Sequence, residues 1–118
     1  MTVVVDPALE AKAKTGDVVA ACTLVANDLR QCQAYRTIWR LYGDAKPQCL
    51  DDAVPRAHEG YLSEAVDEMP AGVQKDAGKG IVRDLILIQT LYRVDESNNS
   101  AAGDQIAGIV ATCPLLAQ

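Results

Sequence analysis

The sequence predicts an all-α fold: a compact bundle of about five helices, stapled by two disulfides, in a single domain over residues 1–118. Three observations carry this. Apolar residues recur at spacings of three and four along most of the chain. Helix start and stop signals (Asp6-Pro7, Asp17, Pro55, Pro70 and Pro114) bracket each periodic stretch. Four cysteines, an even number, sit in a short chain.

Composition bounds the core. Apolar residues make up 49% and charged residues 23%, which is globular usage and not that of a disordered tail. Aromatics reach only 4% and phenylalanine is absent, so Ala, Val, Leu and Ile must fill the interior. Such side chains bury little area each, at about 25 cal/mol per Å². Covalent staples suit a core of that kind.

Asp6-Pro7 reads as an N-cap followed by proline at the first helical position, and Gly16 closes a first helix over Ala8 to Lys14. Asp17 caps a second helix that runs to about Gly43. Its stripe is Val18, Cys22, Val25, Leu29 and Cys32, extended by Tyr35, Trp39 and Tyr42, with Arg30, Arg36 and Arg40 largely off it. A third helix starts near Pro55. It places Tyr61, Leu62, Ala65, Val66 and Met69 opposite Ser63, Glu64, Asp67 and Glu68, and Pro70 ends it. The fourth, Val73 to Val94, has the stripe Ile81, Leu85, Ile88 and Tyr92, widened by Val82, Ile86 and Leu91. So apolar a helix is expected at the centre of the bundle. Asp95 to Ser100 reads as a polar loop, and the last helix, Ala101 to Thr112, turns Ala102, Ile106, Ile109 and Cys113 inward.

The cysteines are Cys22, Cys32, Cys49 and Cys113, and no CxxC pair occurs. Zinc and redox sites favour a tight pair, so disulfides are the expected use, with buried free thiols as the alternative. Cys22 and Cys32 lie about 15 Å apart along one helix, beyond the roughly 7 Å limit for bridged Cα atoms. Cys49 can return to the level of Cys32 but hardly to that of Cys22. The expected bridges are therefore Cys32–Cys49 and Cys22–Cys113. They place the protein outside the reducing cytosol, in the periplasm or secreted, with an export signal removed and an initiator Met added. The segment from Met1 to Asp6 has no basic region and too short an apolar run to be that signal.

A net charge of −5 opposes binding to nucleic acid or anionic membranes. Residues 60–118 carry four basic and eight acidic side chains, against seven and eight in residues 1–59, and a basic partner surface complements that acidic half. Candidate partner-binding residues are Asp95, Glu96, Asn98 and Asn99 in the polar loop, and Glu64, Asp67 and Glu68 on the third helix. The plainer reading of each is a solvated, solubilising face. Catalytic signals are poor. His58 is the single histidine, glycines show no phosphate-loop spacing, and no cofactor, metal or enzymatic activity is expected.

From Cys49 to Pro114 the chain resembles the Rap/Tai group of periplasmic immunity proteins. The matching features are an amphipathic helix opening at Gly60-Tyr61, the Met69-Pro70-Ala71-Gly72-Val73 connection, and a final amphipathic helix ending beside Cys113-Pro114. That family more often ends Pro-Cys and has a cysteine in the middle connection, where Met69 stands here. The pair Cys22 and Cys32 is not part of its pattern. The resemblance implies a small, disulfide-bonded helical protein that occludes a toxin delivered by type VI secretion. The expected function is thus an exported helical binding protein, sharpest as a toxin-neutralising inhibitor. The alternative is a carrier of a small apolar ligand held in a cavity among the helices.

Overall fold

The computed structural model describes residues 4–43, 54–94 and 99–117. The described residues form five α-helices and no strand: α1 (Pro7–Lys14), α2 (Val18–Tyr42), α3 (Arg56–Asp67), α4 (Val73–Val94) and α5 (Asn99–Thr112), followed by a 3₁₀ turn at Cys113–Leu116. No helix among them is long and apolar enough to cross a membrane.

Local chemistry sets most boundaries. The Asp6 carboxylate accepts hydrogen bonds from the N–H groups of Ala8 and Leu9 at 3.0 and 3.2 Å, and Asp17 accepts from Ala20 at 3.0 Å. Each thereby satisfies donors that a helix start leaves open. Gly43 ends α2 in the left-handed conformation (φ 68°), its N–H donating to the Trp39 carbonyl at 3.0 Å. α5 begins earlier than the periodicity indicates. Asn99 and Ser100, expected in the polar loop, are its first residues, and Asp95, Glu96 and Asn98 lie outside the described residues.

The centre of the bundle is α2 and not α4, which corrects the expectation. α1, α3, α5 and the 3₁₀ turn all pack on α2, whereas α4 packs on α3, α5 and the 3₁₀ turn. The reason is the small residues of α2. Ala20, Ala21, Leu24, Val25, Ala26 and Leu29 are all buried, so helices approach α2 on several faces. α4 is one-sided: Ile81, Leu85, Ile88 and Tyr92 are buried, while Ile86 is 54% exposed and Leu87 42%. The inward faces expected for α3 (Leu62, Ala65, Val66, Met69) and α5 (Ala102, Ile106, Ile109, Cys113) are buried.

The second half of the α2 stripe departs from expectation. Tyr42 is 75% exposed, and the fully buried residue there is Arg36. Counting four from Cys32 brings position 36 back onto the inward face. The guanidinium of Arg36 then stacks 3.9 Å from the centre of the Tyr92 ring, a cation–π contact that compensates in part for burying it.

Cys22 and Cys113 form a disulfide with Cα atoms 5.5 Å apart, joining the first turns of α2 to the end of α5. This is the long-range bridge expected from helix geometry. Cys32 is fully buried and disulfide-bonded, and its expected partner, Cys49, lies outside the described residues.

Candidate binding groove

Where α1 turns into α2, the backbone reverses through Thr15 and Gly16. Gly16 holds φ 96°, a left-handed conformation that favours glycine, and a Cβ at this position would lie 3.7 Å from Glu68 Oε2. The Glu68 side chain therefore lies against the α1–α2 turn. Beside it the ends of three elements leave an open groove of about 490 Å³. Val18 and Val19 from α2, Ala65 from α3, Met69 after it and Leu116 from the 3₁₀ turn form an apolar floor, and Asp17 and Glu68 stand on the rim. A smaller recess of about 100 Å³ shares Gly16, Ala65 and Glu68 and adds Lys14, Tyr61 and Glu64.

The charges around this groove are mostly negative. Glu64, Asp67 and Glu68 are exposed and close α3, whose last turn has no basic residue. Asp17 is engaged as the N-cap of α2. The nearby cation Lys14 pairs with Glu10 at 3.8 Å. Lys75 donates to the Asp67 carbonyl at 2.9 Å, which draws that end of α3 toward the start of α4. Among the described residues neither Glu64 nor Glu68 forms an ion pair.

Away from the groove, a polar bridge ties together three of the helices. His58 on α3 is 4% exposed, and Asp28 on α2 is 1% exposed. The Asp28 carboxylate lies 2.6 Å from His58 Nδ1, and Glu10 of α1 reaches within 3.6 Å of Nε2. One imidazole thus joins α1, α2 and α3, and the Tyr61 ring lies beside it at 6.1 Å. Burial pushes the Asp28 carboxyl above its ordinary range; the hydrogen bond and charge of His58 pull it back only in part. Both ring nitrogens face carboxylates, a positioning role for the residue that sequence singled out as the one imidazole base. Among the described residues no three His, Cys, Asp or Glu side chains converge to hold a metal ion.

Of the residues expected to meet a partner, the structure brings Glu68 to the groove and Glu64 to the adjoining recess, and leaves Asp67 exposed, with its backbone carbonyl accepting from Lys75. Asn99 opens α5, and Asp95, Glu96 and Asn98 lie outside the described residues. Sequence reasoning missed Asp17 as a rim residue and Asp28 as the partner of His58. Asp17 was recognisable as a cap, but its proximity to Glu68 arises from residues 51 positions apart. Asp28 lies beside Leu29 in the apolar run of α2, where an acid on a helix reads as solvated. No family model, curated protein or solved structure matches the chain.

Proposed function

We propose that this chain is an exported helical binding protein that acts by occluding a protein partner, as a toxin-neutralising immunity protein does. The observation that carries the reading is the groove. It is open, floored by aliphatic side chains and edged by carboxylates, and the helices that carry it are joined by a disulfide and by the Asp28–His58–Glu10 bridge. A rigid, preformed surface loses less conformational entropy on binding than a flexible one. The open shape favours a protein surface over an enclosed apolar ligand, which needs a cavity that surrounds it.

The Cys22–Cys113 bridge supports a compartment in which disulfides persist, periplasmic or extracellular. We assign the second bridge to Cys32–Cys49 on the helix geometry given above. The partner is a protein with a basic surface, complementary to a chain of net charge −5.

Co-expression with the product of each flanking gene tests the reading. One of those products should be toxic alone, be neutralised by this chain and co-purify with it as a stable complex. If neither product binds the chain or is neutralised by it, the proposal fails.

A further inference from the structure

We infer that the groove between the α1–α2 turn and the end of α3 is the partner-contacting site, and that its occupant is a lysine or arginine side chain on an apolar loop of a protein partner. The inference rests on the binding-protein reading above and deepens it.

The first argument is electrostatic. The C-terminal end of a helix carries a partial negative charge and favours cations in its last turn. α3 does the opposite, ending in Glu64, Asp67 and Glu68 with no basic residue in that turn. Glu64 and Glu68 are also like charges four apart on one helix, a mutually repulsive spacing. α1 ends at the same place, because the Thr15–Gly16 turn that follows it lines the recess. The Asp17 carboxylate is engaged with the N-terminus of α2. The uncompensated charges are therefore those of Glu68, which lines both groove and recess, and Glu64 on the adjoining recess, beside the C-terminal ends of α1 and α3. The neighbouring cations Lys14 and Lys75 are engaged with Glu10 and the Asp67 carbonyl. The free protein is less stable for this arrangement, and an incoming cation relieves it.

The second argument is shape. The floor of Val18, Val19, Ala65, Met69 and Leu116 is aliphatic, and the carboxylates stand at its edge. Long basic side chains lay their methylene stems on apolar surface and carry the charge beyond it. A second copy of this chain would bring the same acids and a further −5 charge, and anionic lipid or nucleic acid is repelled in the same way.

Two measurements on the intact, oxidised chain test this without a known partner. The double variant Glu64→Gln/Glu68→Gln should raise the melting temperature, by about 2–5 °C. Glu59→Gln, in the first turn of α3 where the dipole favours an acid, should lower it or leave it unchanged. A double variant that melts no higher than the native chain removes the electrostatic argument and overturns the inference. Titration of the isotope-labelled protein with a capped Leu-Arg-Leu tripeptide, followed by amide chemical shifts, should perturb Gly16, Val19, Ala65 and Met69. The response should weaken at high salt and vanish in the Gln double variant. An equal response to capped Leu-Glu-Leu, or none to either peptide, overturns the inference. Should the complex with a flanking gene product form equally well with the double variant, the groove is not the contact site although the binding-protein reading stands. Should the native chain form no such complex, that reading fails while the tripeptide titration still decides the groove.

Discussion

Asp28 is a carboxyl group 1% exposed in an interior built mostly of aliphatic side chains, and it is accommodated because His58 lies 2.6 Å away. A buried hydrogen-bonded pair of this kind adds little net stability over an apolar pair, but removing one member leaves the other unsatisfied. Asp28→Ala should cost about 1–3 kcal/mol in urea unfolding at neutral pH, because His58 Nδ1 loses its buried partner. The titration of Asp28 has a definite sign. Desolvation raises its carboxyl in the fold, so the folded chain holds that proton more tightly than the unfolded chain does. The contribution of this group to stability therefore falls as pH rises from the ordinary aspartate value of about 4 through the raised one. Asp28→Asn lacks the titration. Native-minus-variant stability, measured by urea unfolding at steps from about pH 4 to neutral, should shrink as pH climbs.

At the level of elements, glycine and alanine decide how closely helices approach. Gly78 of α4 is buried against α3: an added Cβ would meet the two methyls of Val66 at 2.9 and 3.2 Å. Val66 is stiff at χ1 and itself buried, so it yields poorly. Gly78→Ala should push α3 and α4 apart and lower stability by about 1–3 kcal/mol. Gly108 of α5 is exposed, with nothing within 4 Å of an added Cβ. Gly108→Ala should instead raise stability by about 0.5–1 kcal/mol. Thermal unfolding of the two variants side by side checks both, and the opposite signs test the packing and not merely helix propensity. The same reasoning explains the central position of α2. Its alanines carry little side chain in any direction, whereas Ile86 and Leu87 give α4 apolar bulk on a side that stays about half exposed.

Over the whole molecule, the Cys22–Cys113 bridge closes a loop with a sequence separation of 91. In the chain-entropy model a loop of that length is worth about 4–5 kcal/mol, a large fraction of the stability of a domain this size. The double variant Cys22→Ala/Cys113→Ala should lose about that much in guanidinium unfolding, with a midpoint well below that of the native oxidised chain. The bridge ties the start of α2, which lines the groove, to Leu116 on the groove floor through the adjoining 3₁₀ turn. Its removal should therefore loosen the groove before the α2–α5 core, visible as faster amide exchange at Val18, Val19 and Leu116.

Read alone, the residues determined the all-helical class, the helix starts at Asp6 and Asp17, the inward faces of α3 and α5, and the Cys22–Cys113 pairing. These follow from local chemistry: a cap satisfies donors two or three residues away, a face repeats every three or four, and a fixed rise per residue limits where a cysteine can reach. The candidate site was legible only in part. Glu64 and Glu68 stood out as acids on one helix, but the groove and recess they edge also require Asp17 and Leu116. Tertiary structure alone decided that meeting, the central place of α2, and the burial of Arg36 and Asp28. The physical reason is the same in each case. Whether a charged side chain is solvated or enclosed depends on which distant helix packs over it, and Tyr92 over Arg36 and His58 beside Asp28 lie 56 and 30 residues away.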